Sequence, residues 1–385
     1  MIFEISIRKE TKMKINVAVA GLGFGGSFVK IFQHHPNVGT VGIFDPDSNL
    51  MAKTASDLGI TKTYTTFDEI LQDKDIDAVH IVSPIPLHEE QTVATLNAGK
   101  HCACTVPMAI SLDGIRRIID AKQSSGKNYM MMETTLYTYQ FFHVQDMINS
   151  GELGRIQFMR GSHYQDMRGW PDYWMGLPPM YYGTHAVGPM VALSGSHIDR
   201  VVCFGSGVMD AGLTKQYGNP FPVECALFSF ENGLKGEATR TLFETAREYQ
   251  EGLFVYGSKA SFEWGFKDHD SPYVTTFEDL DRQRCIGTAT SQIKLANYAS
   301  RLPEAIQSFT LKDGEFDPLN PQLKGNGGGH HGSHPHLVHE FVMSIVEGRK
   351  PWIDEIMGGN ITAAGICAHE SAMGDGKMVL VPVFD

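Results

Sequence analysis

From Lys14 to about Met132, short apolar runs alternate with amphipathic stretches. Residues 15–20, 38–44, 78–82, 101–104 and 129–132 read as strands, and helices are predicted to begin near Gly25, Ser48, Thr66, His88 and Ser111. This alternation predicts a doubly wound parallel sheet. After Tyr139 the pattern changes: 156–164, 201–207, 225–231, 233–242 and 252–257 read as longer strands, and Asn232-Gly233 predicts a hairpin turn between two of them. A large, mostly antiparallel sheet is expected there, with one face in need of cover from helices or from a second copy of the chain. The polar stretch from Asp268 to about His334, which includes Gly325-Asn326-Gly327-Gly328-Gly329, predicts a long loop folded over a site. Helices are predicted at 336–346 and 360–373, the second stopped by Gly374 and Gly376. The chain therefore reads as α/β: an N-terminal extension (1–13), a doubly wound dinucleotide-binding Rossmann domain (14–138), and an α+β domain (139–385) for substrate binding and oligomerisation.

The first two strands frame the most specific motif. The run Lys14 to Ala20 leads into Gly21-Leu22-Gly23-Phe24-Gly25-Gly26, and the next strand ends in Asp45. Gly21 is expected to permit a tight turn, Gly23 to let the backbone approach a pyrophosphate, and Gly26 to let helix and strand pack closely; Phe24 and Gly25 complete the turn. Asp45 stands 19 residues after Gly26, where a carboxylate accepts hydrogen bonds from both ribose hydroxyls and repels a 2′-phosphate. No Arg follows at once to receive that phosphate, so NAD is expected in preference to NADP.

Composition narrows the function further. A chain of 385 residues favours two domains, and a net charge of −12 without a Lys/Arg cluster argues against nucleic acid or an anionic membrane as partner. Six cysteines without a CxxC pair read as reduced thiols, with Cys102 and Cys104 on one face of a strand. No apolar span reaches 18 residues, and Glu4, Arg8, Lys9 and Glu10 interrupt the start where a signal peptide would be apolar; a cytoplasmic protein is expected, with Met13 a candidate start. Histidines 330, 331, 334, 336 and 339 raise the possibility of zinc, but without a His-Glu-x-x-His helix or clustered Cys a substrate-facing loop is expected, with no metal and with His331 as the substrate contact. Tyr164, Trp170, Tyr173, Trp174, Tyr181 and Tyr182 supply aromatic faces that suit either sugar C–H surfaces or an inter-domain wall.

Asp77-Ala78-Val79-His80-Ile81-Val82-Ser83-Pro84, then Leu87-His88, Gly99-Lys100-His101, Thr105-Val106-Pro107, Gly183-Thr184-His185 and Glu370-Ser371-Ala372 follow the glycine turn in order. With it they make the chain resemble, over nearly its whole length, the Gfo/Idh/MocA family of NAD(P)-dependent sugar and cyclitol oxidoreductases. The resemblance implies that Ser83, Pro84 and His88 line the cofactor cleft, that Thr105 to Pro107 lie beneath the nicotinamide, and that His185 is the general base. The family's Glu-Lys-Pro is Thr105-Val106-Pro107 here, so the usual proton-handling lysine is a valine.

Tyrosines at 181 and 182 replace the aspartate that commonly precedes the histidine. That segment resembles the Tyr-Pro-Thr-His stretch of NAD-dependent glycoside hydrolases on the same scaffold, and Gly328-Gly329-His330-His331-Gly332 resembles their Gly-Gly-His-Gly-Gly loop. In those enzymes a sugar C3 is oxidised for a time, which acidifies the C2 proton; elimination expels the C1 aglycone, water adds, and the hydride returns. Tyr182 would serve as acid or base if the site lowers its pKa, with Tyr164, Trp174, Tyr181 and His331 touching substrate. Hydride exchange at a secondary alcohol of a sugar or glycoside is the expected activity, redox-neutral glycoside hydrolysis the alternative, and a non-catalytic NAD-sensing regulator the third reading. A carbohydrate substrate and a homo-oligomer, dimer or tetramer, are the expected partners.

Overall fold

The computed structural model describes residues 13–214, 216–278 and 287–385. All of the expected N-terminal extension except Met13, and also Cys285, therefore lie outside the described residues.

The first half alternates strand and helix: β1 (Ile15–Ala20), α1 (Gly26–His34), β2 (Val38–Phe44), α2 (Ser48–Leu58), β3 (Lys62–Thr63), α3 (Phe67–Gln72), β4 (Ala78–Ile81), α4 (His88–Asn97), β5 (His101–Cys104), α5 (Leu112–Ser125) and β6 (Tyr129–Met131). All pairings are parallel, and the six-stranded order β3-β2-β1-β4-β5-β6 places the reversal of winding between β1 and β4. Their apolar runs are buried on both faces: α1 lays Phe28, Val29, Ile31 and Phe32 into the core, and Cys102 and Cys104 are wholly buried within it. The two-residue β3 escaped the sequence pattern because it is too short to show a period.

The second half is built from α6 (Tyr139–Asn149), β7 (Ile156–Tyr164), α7 (Thr184–Ser194), β8 (Ile198–Ser206), β9 (Val223–Phe230), β10 (Lys235–Thr241), β11 (Gln250–Gly257), β12 (Ala260–Glu263), β13 (Tyr273–Phe277), β14 (Thr288–Gln292), α8 (Glu304–Gln307), α9 (Ser333–Val346), α10 (Glu355–Met373) and β15 (Val379–Leu380). A nine-stranded sheet has the order β14-β13-β12-β11-β7-β10-β9-β8-β15, antiparallel except where β7 meets β10. The Asn232-Gly233 turn joins β9 to β10 as expected, with Gly233 at φ 91°.

One expectation is corrected. The stretch from 268 to 334 is not a continuous loop, since β13 and β14 form an edge hairpin within it. Both strands are largely exposed on both faces, so no apolar alternation marks them, and their β-branched threonines carry the tendency instead. The last two long helices return to the first sheet: α9 packs on α1, α10 packs on α5, and Met131 N–H donates to Ile353 O at 3.0 Å.

Candidate active site

The glycine turn sits at the carboxyl end of β1, beside the switch point where ligands of doubly wound sheets bind. Gly21 has φ 95°, and a β-carbon there would lie 2.5 Å from Val82 O, so no other residue fits. Gly23 faces open space, as close approach by a ligand requires. The close packing expected of Gly26 falls to Gly25 instead: an added β-carbon at Gly25 would lie 2.0 Å from Gly21 O and 3.1 Å from Val82 Cβ, whereas Gly26 also faces open space. Asp45 closes the turn, accepting from Leu22 N–H at 2.7 Å and from Asp47 N–H at 2.8 Å. An open, uncapped helix start beside this carboxylate fits a dinucleotide's phosphates and ribose.

Ser83 and Pro84 form the turn after β4, where the Ser83 hydroxyl donates to Gln91 Oε1 at 2.6 Å. His88 does not open onto the cleft. It is buried, and its Nδ1 and Nε2 meet Pro107 O at 2.8 Å and Ser83 O at 2.9 Å, so it ties the turn after β4 to the turn after β5. Burial lowers its pKa against these two carbonyls. Thr105 stands at the end of β5 and Val106 is buried in the apolar core.

The second sheet carries a cluster of titratable side chains. Pairing places Arg240 of β10, His163 of β7 and Glu251 of β11 side by side in one row, hence on one face. Helix α7 crosses that face closely because Gly161, two residues before His163, has no side chain; a β-carbon there would lie 2.0 Å from Ala186 O. This approach sets the His185 ring 4.8 Å from the His163 ring and 5.3 Å from the Tyr182 ring.

His185 is held from the other side by Glu133, just past β6: Glu133 Oε1 accepts from Nδ1 at 2.5 Å. That bond places the proton on Nδ1 and leaves Nε2 as a lone pair, the form a general base needs. Burial would raise the Glu133 pKa, but its interaction and hydrogen bond with the His185 ring outweigh it and hold the carboxyl below its ordinary value. A second pair lies across His163. His330 Nδ1 meets Glu251 Oε1 at 3.1 Å, and the Tyr249 hydroxyl donates to the same oxygen. Burial lowers the His330 pKa, yet the attraction of Glu251 prevails and raises it; Glu251 is held well below its usual range by His330 and its neighbours despite burial. His163, without a hydrogen-bond partner for either nitrogen among the described residues, is driven well below the usual imidazole range by burial and by Arg240.

The expected residues divide accordingly. Tyr182 touches the cluster and packs edge-on to Trp174 at 4.9 Å, with the Arg240 guanidinium 5.2 Å from its ring. The lowered pKa it would need as a base is absent: burial raises the phenol, with Arg240 opposing. Tyr181 turns away onto His369, 5.1 Å between rings. Tyr164 lies on the opposite face of the sheet, under the Arg247 guanidinium at 5.1 Å, because neighbours in a strand alternate faces and His163 takes the inner one. His331 points away from the cluster, its nitrogens engaged by Asp268, Tyr139 and Gln140; His330 occupies the inner position, 5.5 Å from the Phe24 ring of the glycine turn.

Glu133, His163, Arg240, Tyr249, Glu251 and His330 were not singled out for roles in the sequence. Glu133 had one usable signal, an acid at the carboxyl end of a parallel strand. The others had none, since only strand pairing makes them neighbours.

Residues 15–133 match the oxidoreductase family with an NAD-binding Rossmann fold, and residues 141–263 match the GFO/IDH/MocA C-terminal domain. An uncharacterised oxidoreductase of Rhizobium meliloti is 31% identical over 121 residues, 31% of this chain and 36% of that protein. A glycosyl hydrolase family 109 protein of Shewanella pealeana is 26% identical over 285 residues, covering 64% of this chain and 62% of the relative. A 1,5-anhydro-D-fructose reductase of Ensifer adhaerens is 26% identical over 284 residues, covering 72% and 78%. The chain thus spans about a third and under two thirds of the first two relatives' lengths. Among solved structures, levoglucosan dehydrogenase in complex with NADH and levoglucosan superposes with TM-score 0.78 at 21% identity, over 96% of this chain and 100% of that one. The myo-inositol 2-dehydrogenase of Lactobacillus plantarum gives 0.71 at 18%, over 96% and 100%. At such identities the likeness is one of fold. Among the described residues no helix is long and apolar enough to cross a membrane.

Proposed function

This chain belongs to the Gfo/Idh/MocA oxidoreductase family, and from that premise we propose that it exchanges hydride between NAD and a secondary alcohol of a sugar or glycoside. The observation that carries the reading is the buried Glu133–His185 pair, with Nε2 left as a base. A bound nicotinamide supplies the hydride acceptor or donor. His185 takes the hydroxyl proton, and the Glu133 carboxylate stabilises the imidazolium that results. Tyr182 stays a neutral phenol that donates and packs, and Trp174 behind it keeps that ring in place. The Asp45 carboxylate, beside the glycine turn, supports NAD over NADP. The relatives named for anhydrofructose reduction and levoglucosan dehydrogenation support a carbohydrate.

A second reading, redox-neutral glycoside cleavage, is favoured by the Glu251–His330 pair. Simple dehydrogenation moves one hydroxyl proton and needs one base. Cleavage by elimination also removes the C2 proton and protonates the departing C1 oxygen, which calls for a second acid–base pair in the same site. The buried Val106, in place of an amine, and relatives of glycosyl hydrolase family 109 point the same way.

Incubation with NAD and a panel of free sugars and aryl glycosides, following aglycone release and NADH absorbance together, tests both readings. NADH accumulating with free sugars supports dehydrogenation; aglycone released without stoichiometric NADH supports cleavage. No turnover, with NAD-dependent binding of a protein partner that survives His185→Ala, would replace both with a regulator. The outer face of the second sheet, with Phe204 and Leu227 exposed, suits self-association, which light scattering after gel filtration measures.

A further inference from the structure

We infer that Asp268, His269 and His331 form a binding site for a divalent transition-metal ion of the zinc class. Asp268 Oδ2 lies 2.8 Å from His331 Nε2 and 3.5 Å from His269 Nδ1, and the three donor atoms all lie within 4.8 Å of one another. Zinc bonds of about 2.0–2.1 Å in a tetrahedral arrangement separate donors by roughly 3.3–3.5 Å, so small side-chain rotations seat the ion. Two imidazoles and a carboxylate select zinc, cobalt or nickel over magnesium or calcium, which prefer oxygen alone.

The surroundings are arranged as an outer shell. Asp268 Oδ1 accepts from Glu251 N–H at 3.2 Å, and Trp264 Nε1 donates to Asp268 O at 3.0 Å. The His331 Nδ1 faces the Tyr139 hydroxyl at 2.9 Å and the Gln140 amide nitrogen at 3.0 Å. Lys312 Nζ, 2.7 Å from His269 Nε2, belongs to an exposed side chain and turns out to solvent once that nitrogen carries a proton.

The neighbouring amide of Gln140 accommodates the same state. Gln140 is 2% exposed, and its Oε1 is buried with no hydrogen-bond partner among the described residues. With the amide nitrogen donating to Nδ1, the His331 proton sits on Nε2, facing Asp268. Turning the amide half a revolution gives the orphan oxygen a partner, Nδ1–H, and moves the lone pair to Nε2, where it faces the carboxylate and His269. That tautomer, in which the amide oxygen accepts from Nδ1–H, is the one that ligates a metal through Nε2.

An ion here joins the connector between β12 and β13 to the loop before α9. It therefore clamps the segment that carries His330 against the second sheet. The histidine run expected to be metal-free contributes only one ligand; the other two lie over 60 residues upstream.

The test uses the full chain stripped with a chelator and titrated with Co2+ and Zn2+. The expected result is one Co2+ per chain with a visible d–d band, displaced by Zn2+, and slower trypsin cleavage at Lys267 and Lys312 in the loaded protein. His269→Ala, at an exposed position outside the acid–base cluster, should weaken binding at least about tenfold and abolish the protection, as should Asp268→Asn. Binding that is absent in the parent, or unchanged in His269→Ala, overturns the proposal. Should Asp268→Asn fail to fold, His269→Ala decides alone.

Discussion

Two regions enclose histidines and make different groups of them. In the first sheet, His80 at the middle of β4 is 0% exposed, its ring 4.7 Å from Phe28 and 5.8 Å from Phe32, and neither nitrogen has a partner among the described residues. Burial alone pushes its pKa down to about 3, so it is a neutral space-filler. On the second sheet the same cost falls on His330, yet Glu251 reverses the sign and its pKa is raised. His163 and His334, beside these pairs but without a carboxylate bond, follow His80 and fall well below the usual value. A carboxylate bonded to the ring, present at His330 and absent at His80, His163 and His334, accompanies the opposite direction of shift.

The sharpest test of that contrast is turnover. His185→Ala should lose about 10³-fold in kcat with NAD binding retained by calorimetry, and Glu133→Gln about 10²-fold, because the amide keeps a bond but no charge. His80→Phe should leave kcat within about twofold of the parent, and a loss equal to that of His185→Ala would erase the distinction between the regions.

Removing one partner of the second pair comes next. Glu251→Gln should cost about 3 kcal/mol in denaturant unfolding, since it strands a buried charge. The sign with pH follows from both shifts. His330, raised, stabilises fully below 6.5 and loses that contribution as pH rises through its folded pKa; Glu251, lowered, stabilises fully above 4.5 and loses it as pH falls through its own. The parent-minus-variant difference should therefore peak between pH 4.5 and 6.5, and a flat difference would mean the pair is not ionised.

His80 makes the opposite demand. Its lowered pKa costs the fold about 1.4 kcal/mol for each pH unit below 6.5, as the unfolded chain takes up a proton that the core refuses. His80→Phe should shift acid unfolding to lower pH by that slope, and an unchanged acid midpoint would show that His80 has another proton acceptor. The smallest effect is expected at Tyr182. Its raised pKa keeps the phenol neutral, so Tyr182→Phe should lower kcat by about fivefold without moving the inflections of the pH–rate profile. A lost inflection would make it a titrating base.

The two sheets were not equally legible. Strands Ile15–Ala20, Val38–Phe44, His101–Cys104 and Ile156–Tyr164 coincide with the expected ranges, because turn or helix signals bound each of them. The exposed hairpin of β13 and β14 does not, since a strand with water on both faces leaves no apolar period to read. The cofactor turn was legible for a similar reason: Gly21 to Gly26 and Asp45 are close in sequence and joined by one helix.

Local order in the chain thus determined the alternating elements, the left-handed Gly21, and the acid at the tip of β2, because each depends on backbone conformation over a few residues. Tertiary structure decided which histidines meet a carboxylate. Glu133, His163, His185, Glu251 and His330 come from separate elements, and a step of one residue, from His163 to Tyr164 or from His330 to His331, changes which face of the fold a side chain meets. Only the approach of α7 over Gly161 and the pairing of β7 with β10 and β11 select the inner set, and those contacts join residues far apart along the chain.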